Sequence, residues 1–332
     1  MKRIIAIVLL MIATNSMAQE LFIQRGEPVP IEVEKMYLKG LKFLVSQQTS
    51  DGSFSGRGGS YGESGPGVTG LAVLAMLAHG DDPNDGPYAN AVHKGVKNIL
   101  ASADKRTGYI GSSMYHHGFA TLALAEAYGT VKEAGIGTTL QKAVDMIVAS
   151  QKRNNFGAWR YSPESSDADT TVSGAQMVAL CAARNAGIGV PDEAIKKGLQ
   201  FYKGCQDSSG GIGYTSAGGP NVTRTAIGAL VFTLTGQKES AAYKASASYL
   251  KGAGWREGSQ MAQYYMEYYA SQAAFQMDDK TWAEWNAENV KTLSVSQAAD
   301  GSWPGSQGTI FSTSAALLSL ALNYRFLPIY ER

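Results

Sequence analysis

The chain has 332 residues, 44% of them apolar, and its 29 Lys plus Arg against 28 Asp plus Glu give a formal charge of +1. That length and apolar fraction allow one large domain or two small ones around a substantial core, and they exclude a wholly disordered chain. The near-neutral balance excludes a basic footprint for nucleic acid or for an anionic membrane surface, and the 38 glycines follow no collagen-like period.

At the N-terminus, Lys2 and Arg3 precede an apolar run from Ile4 to Ile12, and Ser16-Met17-Ala18 follows. A positive start, a short apolar stretch and a small-x-Ala ending predict a secretory signal over residues 1–18, with a short extension over 19–30. The apolar run falls short of the ~20 residues a spanning helix needs. The mature chain is therefore expected to be exported, to the periplasm or the extracellular space, with no transmembrane segment. Removing Lys2 and Arg3 takes the formal charge from +1 to −1.

From Ile31 onward two kinds of predicted helix alternate. The first kind is amphipathic, with a Lys-rich outer face. Its copies end in KGLKFLVSQQTSDGSF (39–54), HKGVKNILASADKRTGYI (93–110), KAVDMIVASQKRNNFGAW (142–159), KGLQFYKGCQDSSGGIGY (197–214), YLKGAGW (249–255) and VKTLSVSQAADGSW (290–303). The second kind is apolar nearly all round, the pattern of a buried helix. Its copies are GPGVTGLAVLAMLAHG (65–80), MYHHGFATLALAEAYG (114–129), DTTVSGAQMVALCAARNAG (169–187), NVTRTAIGALVFTLTG (221–236), MAQYYMEYYASQAAFQM (261–277) and TIFSTSAALLSLALNY (309–324). Polar residues at the starts and Gly at several ends match helix caps. Recurrence at roughly fifty residues marks a repeat architecture. Six buried helices inside six solvated ones give every repeat two neighbours, and both ends of the chain carry full-strength repeats without polar capping units.

The repeat ending, Gln48…Gly52-Ser53-Phe54, Gln151…Gly157-Ala158-Trp159 and Gln297…Asp300-Gly301-Ser302-Trp303, resembles the QW repeat of squalene and oxidosqualene cyclases. The resemblance implies an all-α (α/α)6 toroid over residues 31–330, a barrel shared with protein prenyltransferases, complement thioester domains and some polysaccharide lyases. It also implies a structural role for the repeat Gln and Trp side chains, capping helix ends and stacking.

In such a toroid the inner helices run parallel, so their N-termini and dipole ends gather at one mouth. The residues brought there include Glu63, Tyr115, His116, His117, Asp167, Asp169, Arg224, Tyr264 and Ser312. Asp167-Ala168-Asp169-Thr170 resembles the DxDD acid motif of squalene–hopene cyclases, with Thr170 where the last Asp would stand. That resemblance implies Asp169 as a catalytic acid able to protonate an alkene, with Asp167 and Thr170 supplying hydrogen bonds. Capping of the following helix is the structural alternative. Tyr115, His116, Arg160, Tyr264 and Tyr268 are the substrate-binding candidates, because the tyrosines at 264, 265, 268 and 269 form two aromatic stripes at i, i+4 spacing.

No metal or other cofactor is expected. Adjacent histidines on a helix point apart, and the Asp-x-Cys pair of the prenyltransferases is absent. Cys181 and Cys205 fall at different heights on neighbouring helices, ~10 Å apart, so free thiols are expected. Three functions fit this reading. One is an acid-initiated terpenoid cyclase or mutase acting on an isoprenoid. Another is a noncatalytic envelope protein that binds a protein partner. The third is a polysaccharide lyase or hydrolase acting on an oligosaccharide at the mouth.

Overall fold

A computed structural model describes residues 28–54, 64–255 and 263–331. The predicted signal and most of the extension after it, Glu63, the glycine-rich stretch 55–63 and the start of the fifth buried segment lie outside the described residues. Among the described residues twelve helices alternate as read from the sequence: α1 (Ile31–Gln47), α2 (Pro66–His79), α3 (Ala89–Ala101), α4 (Met114–Ala127), α5 (Ile136–Gln151) and α6 (Thr170–Asn185), then α7 (Asp192–Gly204), α8 (Val222–Leu234), α9 (Ala241–Ala253), α10 (Gln263–Met277), α11 (Asp279–Ser296) and α12 (Thr309–Leu320).

The even-numbered helices form the inner ring. Each packs on the next, α2 on α4, α4 on α6, and so on round to α12, which packs back on α2. The protein is an all-α (α/α)6 toroid. Inner helices are buried on almost every side, as in α6, where thirteen residues from Thr170 to Ala183 are buried. Outer helices bury one stripe, as in α7, where Ala194, Ile195, Gly198, Phe201 and Tyr202 face inward. Four of the inner helices, α2, α4, α6 and α8, stop at Gly80, Gly129, Gly187 and Gly236, all at positive φ, the conformation that stops a helix.

The repeat motif ties the outer ring together. Gln48 Nε2 donates to the Gly52 carbonyl of its own turn at 3.2 Å and to the Ala91 carbonyl of α3 at 2.9 Å. Gln151 does the same to Gly157 and Ala194, and Gln206 to Gly210 and Ala242. Gln297 donates to Gly301 and to Met36 of α1, so the last repeat is joined to the first by the bond that joins the others. The turn glycine lies against the next outer helix. At Gly301, with φ 93°, an added Cβ would sit 2.4 Å from the Lys39 carbonyl oxygen. The indoles of Trp159 and Trp303 donate back to their own outer helices, at Ile147 and Leu293. The Gln amides thus bridge a turn to the next outer helix, and the two indoles anchor the turn by donated hydrogen bonds.

After α12 the chain crosses the C-terminal ends of the inner helices. Leu327, Ile329 and Tyr330 are buried there, and Gln276 of α10 donates to the Glu331 carbonyl at 3.2 Å. Tyr324 donates to Glu34 of α1 at 2.7 Å, so both described chain ends meet on this face. Cys181 and Cys205 are free and buried, and burial pushes both thiols up to about 11. No helix among the described residues is long and apolar enough to cross a membrane.

Candidate ligand cavity at the helix N-termini

The helix starts are held together by loop-to-helix bonds. Met114 N–H at the head of α4 donates to the Tyr161 carbonyl at 2.8 Å, and Thr170 N–H at the head of α6 donates to Tyr214 at 2.9 Å. The last residue of the repeat turn donates its N–H to a side chain in the first turns of the next inner helix. The pairs are Phe54 with Thr69, Ile110 with His117, Trp159 with Ser173, Ile212 with Thr225 and Trp303 with Thr313. His117 thus fills a position that four other repeats give to Ser or Thr. It is fully buried, faces the Ala143 carbonyl at 3.1 Å through Nε2, and burial lowers its pKa to about 4.

Between these starts lies a cavity of about 850 Å³, inside the ~300–1,000 Å³ range of small-molecule sites. Its wall is aromatic: Tyr115 and Phe119 of α4, Tyr161, Tyr265 of α10 and Phe311 of α12. Tyr115 stacks near Phe119 (6.3 Å between centroids) and meets Tyr265 edge-on at 6.4 Å; Tyr265 lies 6.4 Å from Phe311. Ser112, Ser113, His116 and Gln307 add the polar points. His116 is packed among glycines, since a Cβ on Gly65, Gly67 or Gly111 would come within 2.6–2.7 Å of it. Its Nδ1 accepts the Gly67 N–H at 3.3 Å, and burial lowers its pKa, so the neutral ring carries its hydrogen on Nε2.

Asp169 stands behind this wall, fully buried, as the N-cap of α6. Its Oδ1 accepts the N–H groups of Thr171 and Val172 at 2.8 Å each and the Thr171 hydroxyl at 2.6 Å. Tyr115 in turn donates to Thr171 Oγ1 at 2.7 Å, so a chain of hydroxyls connects the cavity wall to the carboxylate. Oδ2 makes no hydrogen bond and faces Arg160 Nε at 3.7 Å. Burial raises the pKa of Asp169 against the opposing pull of Thr171, the backbone donors and Arg160.

The other sequence-derived candidates divide around this centre. Arg160 is stacked between Tyr161 and Tyr214, 5.2 Å from each ring, and pairs with Asp167 at 3.5 Å; it does not line the cavity. Asp167 has a side chain 57% exposed and forms an ion pair with Arg160 rather than a contact with Asp169. Thr170, expected to support Asp169, donates instead to Gly213 at 2.7 Å; Thr171 takes that place because residues two and three past a cap are those its side chain reaches. Of the tyrosines, Tyr264 borders a smaller adjoining recess and Tyr268 lies behind Phe119 at 6.3 Å. Tyr265 is the one on the wall. The stripes contain it without marking it as the wall residue, and Phe119 and Thr171 were missed, because helices that are apolar all round carry no periodicity that says which side faces a hole.

No family model matches the chain, and no curated protein matches it in sequence. Solved structures do match in shape. A type II terpene cyclase, MstE from Scytonema, as an Asp-to-Asn variant with geranylgeranyl dihydroxybenzoate, gives a TM-score of 0.61 at 16% identity over 89% of this chain and 98% of that one. An inactive double-aspartate variant of α-1,6-mannanase GH76A from Salegentibacter sp. HEL1_6, in complex with α-1,6-mannotriose, gives 0.68 at 10% identity over 89% and 99%. A protein from Actinoplanes gives 0.56 at 13% identity over 88% and 99%. The shared feature is the α/α toroid. Identities this low establish the fold alone, and the fold is common to a cyclase and a glycoside hydrolase, so the site has to decide between them.

Proposed function

We propose that the protein takes a neutral, isoprenoid-type ligand into the cavity and that Asp169 is the proton source for an acid-initiated cyclisation. The observation that carries this reading is the wall itself: five aromatic rings around one space, with no carboxylate lining it among the described residues. Ring faces stabilise a carbocation, whereas glycoside hydrolysis requires two carboxyl groups flanking the bond to be cut. A barrel filled with side chains would have favoured a scaffold; this one holds space.

In the resting order Tyr115 donates to Thr171 and Thr171 to Asp169, as suits an ionised carboxylate. Once Asp169 is protonated the two hydroxyls, which are free rotors, turn the chain round. The carboxyl then donates to Thr171, Thr171 to Tyr115, and Tyr115 to a C=C bond. The alkene becomes a cation, Asp169 becomes a carboxylate, and the cation's later loss of a proton closes the balance. The predicted signal puts this chemistry outside the cytoplasm, which the N-terminal sequence of protein recovered from a cell-envelope fraction would check.

The experiment is incubation of the wild type, Asp169→Asn and Tyr115→Phe with C20 and C30 polyprenes, with products read by mass spectrometry. Cyclised product from the wild type, reduced ~100-fold or more in both variants, is expected of a general acid and its relay. Equal turnover by the wild type and Asp169→Asn would sink the acid assignment. Absence of any prenyl binding, with reducing ends released from α-mannan, would replace the reading with the hydrolase one.

A further inference from the structure

Beside the aromatic cavity lies a recess of about 300 Å³, and the two share Gln307. The chemistry of its wall is different. Gln263, Tyr264, Ser306, Gln307 and Ser312 bring amide and hydroxyl groups to it, and Gly305 lets the loop run close. A Cβ on Gly305 would lie 2.2 Å from Ser312 Oγ and 3.0 Å from the Tyr264 ring. Gln263 Nε2 donates to Glu267 Oε1 at 2.9 Å. Glu267 is 5% exposed, one turn further along α10, and its Oε2 is buried without a hydrogen-bond partner. No Lys or Arg lines either space among the described residues, and the one histidine, His116, is held neutral by burial.

We propose that this recess is a head-group subsite for the neutral, hydroxyl-bearing end of an amphipathic ligand whose apolar body fills the aromatic cavity. The inference rests on the prenyl-type reading of the cavity and narrows it. A pure hydrocarbon leaves the amides and hydroxyls of the recess facing an apolar group, which a site built of hydrogen-bonding groups rejects. An anionic head, such as a diphosphate, meets no cation there among the described residues and has the Glu267 carboxyl behind Gln263. A hydroxyl both donates and accepts, and so can satisfy Gln307 and Ser312 together.

The test measures binding of three C20 probes to the full chain by tryptophan fluorescence: a prenyl alcohol, the hydrocarbon of the same skeleton and the prenyl diphosphate. The alcohol is expected to bind about tenfold tighter than the hydrocarbon, the yield of one or two net hydrogen bonds, and the diphosphate weakest. Ser312→Ala, at a position that borders the recess and not the aromatic cavity, should erase most of the alcohol's advantage while leaving the hydrocarbon unchanged. Equal affinity for alcohol and hydrocarbon in the wild type, or tightest binding of the diphosphate, overturns the subsite and leaves the cavity reading intact. Failure of all three to bind overturns both.

Discussion

Asp169 holds the helix cap that the sequence offered for it, and the proposed function makes the same residue the acid. Its Oδ1 caps α6, and the same atom ends the hydroxyl chain from Tyr115. An asparagine can still accept the two N–H bonds, so Asp169→Asn should change unfolding free energy by no more than ~1–2 kcal/mol while removing the transferable proton. Retained melting temperature with lost turnover is the signature to look for. Two other carboxyls make a stability prediction. Burial raises Glu126 and Glu267 from the usual 4.5 to about 7, and neither finds a full set of partners. A carboxyl whose folded pKa lies above its unfolded value binds its proton more tightly in the native state. Stability is then fully present below the unfolded value and falls as pH climbs toward the folded one. Each group should cost roughly 2–3 kcal/mol between pH 5 and 8. Chemical denaturation across that window should show the decline, and Glu126→Gln or Glu267→Gln should flatten it.

At the scale of the element, the turn between outer and inner helix is the unit that makes the ring. Gly301 and Gly129 separate two effects. Both sit at positive φ, but only at Gly301 does a Cβ meet backbone, the Lys39 carbonyl; at Gly129 it meets nothing within 4 Å. Gly129→Ala should cost ~1 kcal/mol from conformation alone, and Gly301→Ala clearly more, because the joint between the last and first repeats must open. Thermal melts of the two variants compare them directly. This turn was legible in sequence because Gln, Gly and an aromatic recur at short spacing. The matching contact on the inner helix was not, because seven residues separate Ile110 from His117 while fifteen separate Phe54 from Thr69. Variable loops hide a constant geometry. His117 consequently stands out in sequence as half of a histidine pair, when it occupies the place of Thr69, Ser173, Thr225 and Thr313.

At the scale of the molecule, the toroid has one mouth that forms a cavity and one that is stopped. The stop is the tail. Leu327, Ile329 and Tyr330 are buried across the C-terminal ends of the inner helices, and the buried Glu126 of α4 faces the backbone of Ile329. Ending the chain after Arg325 removes those side chains, at ~1.5–3 kcal/mol for each large apolar group. The shortened protein should lose several degrees of melting temperature and bind more of an apolar dye than the full chain does; unchanged melting would show the tail to be ornamental. The alternation of helices, their count and the closure were all readable beforehand, whereas the occupant of each mouth was not, since loops and tail carry no period. The bond from Gln297 to Met36 has one more consequence. It makes the first repeat a neighbour like any other, and the described ends lie on one face, joined through Tyr324 and Glu34. A circle has no privileged starting point. With a short linker between the old ends, a gene opened at the Gly187 or Gly236 turn would encode the same ring in a different reading order, with the cavity wall assembled from segments that now follow one another in a new sequence.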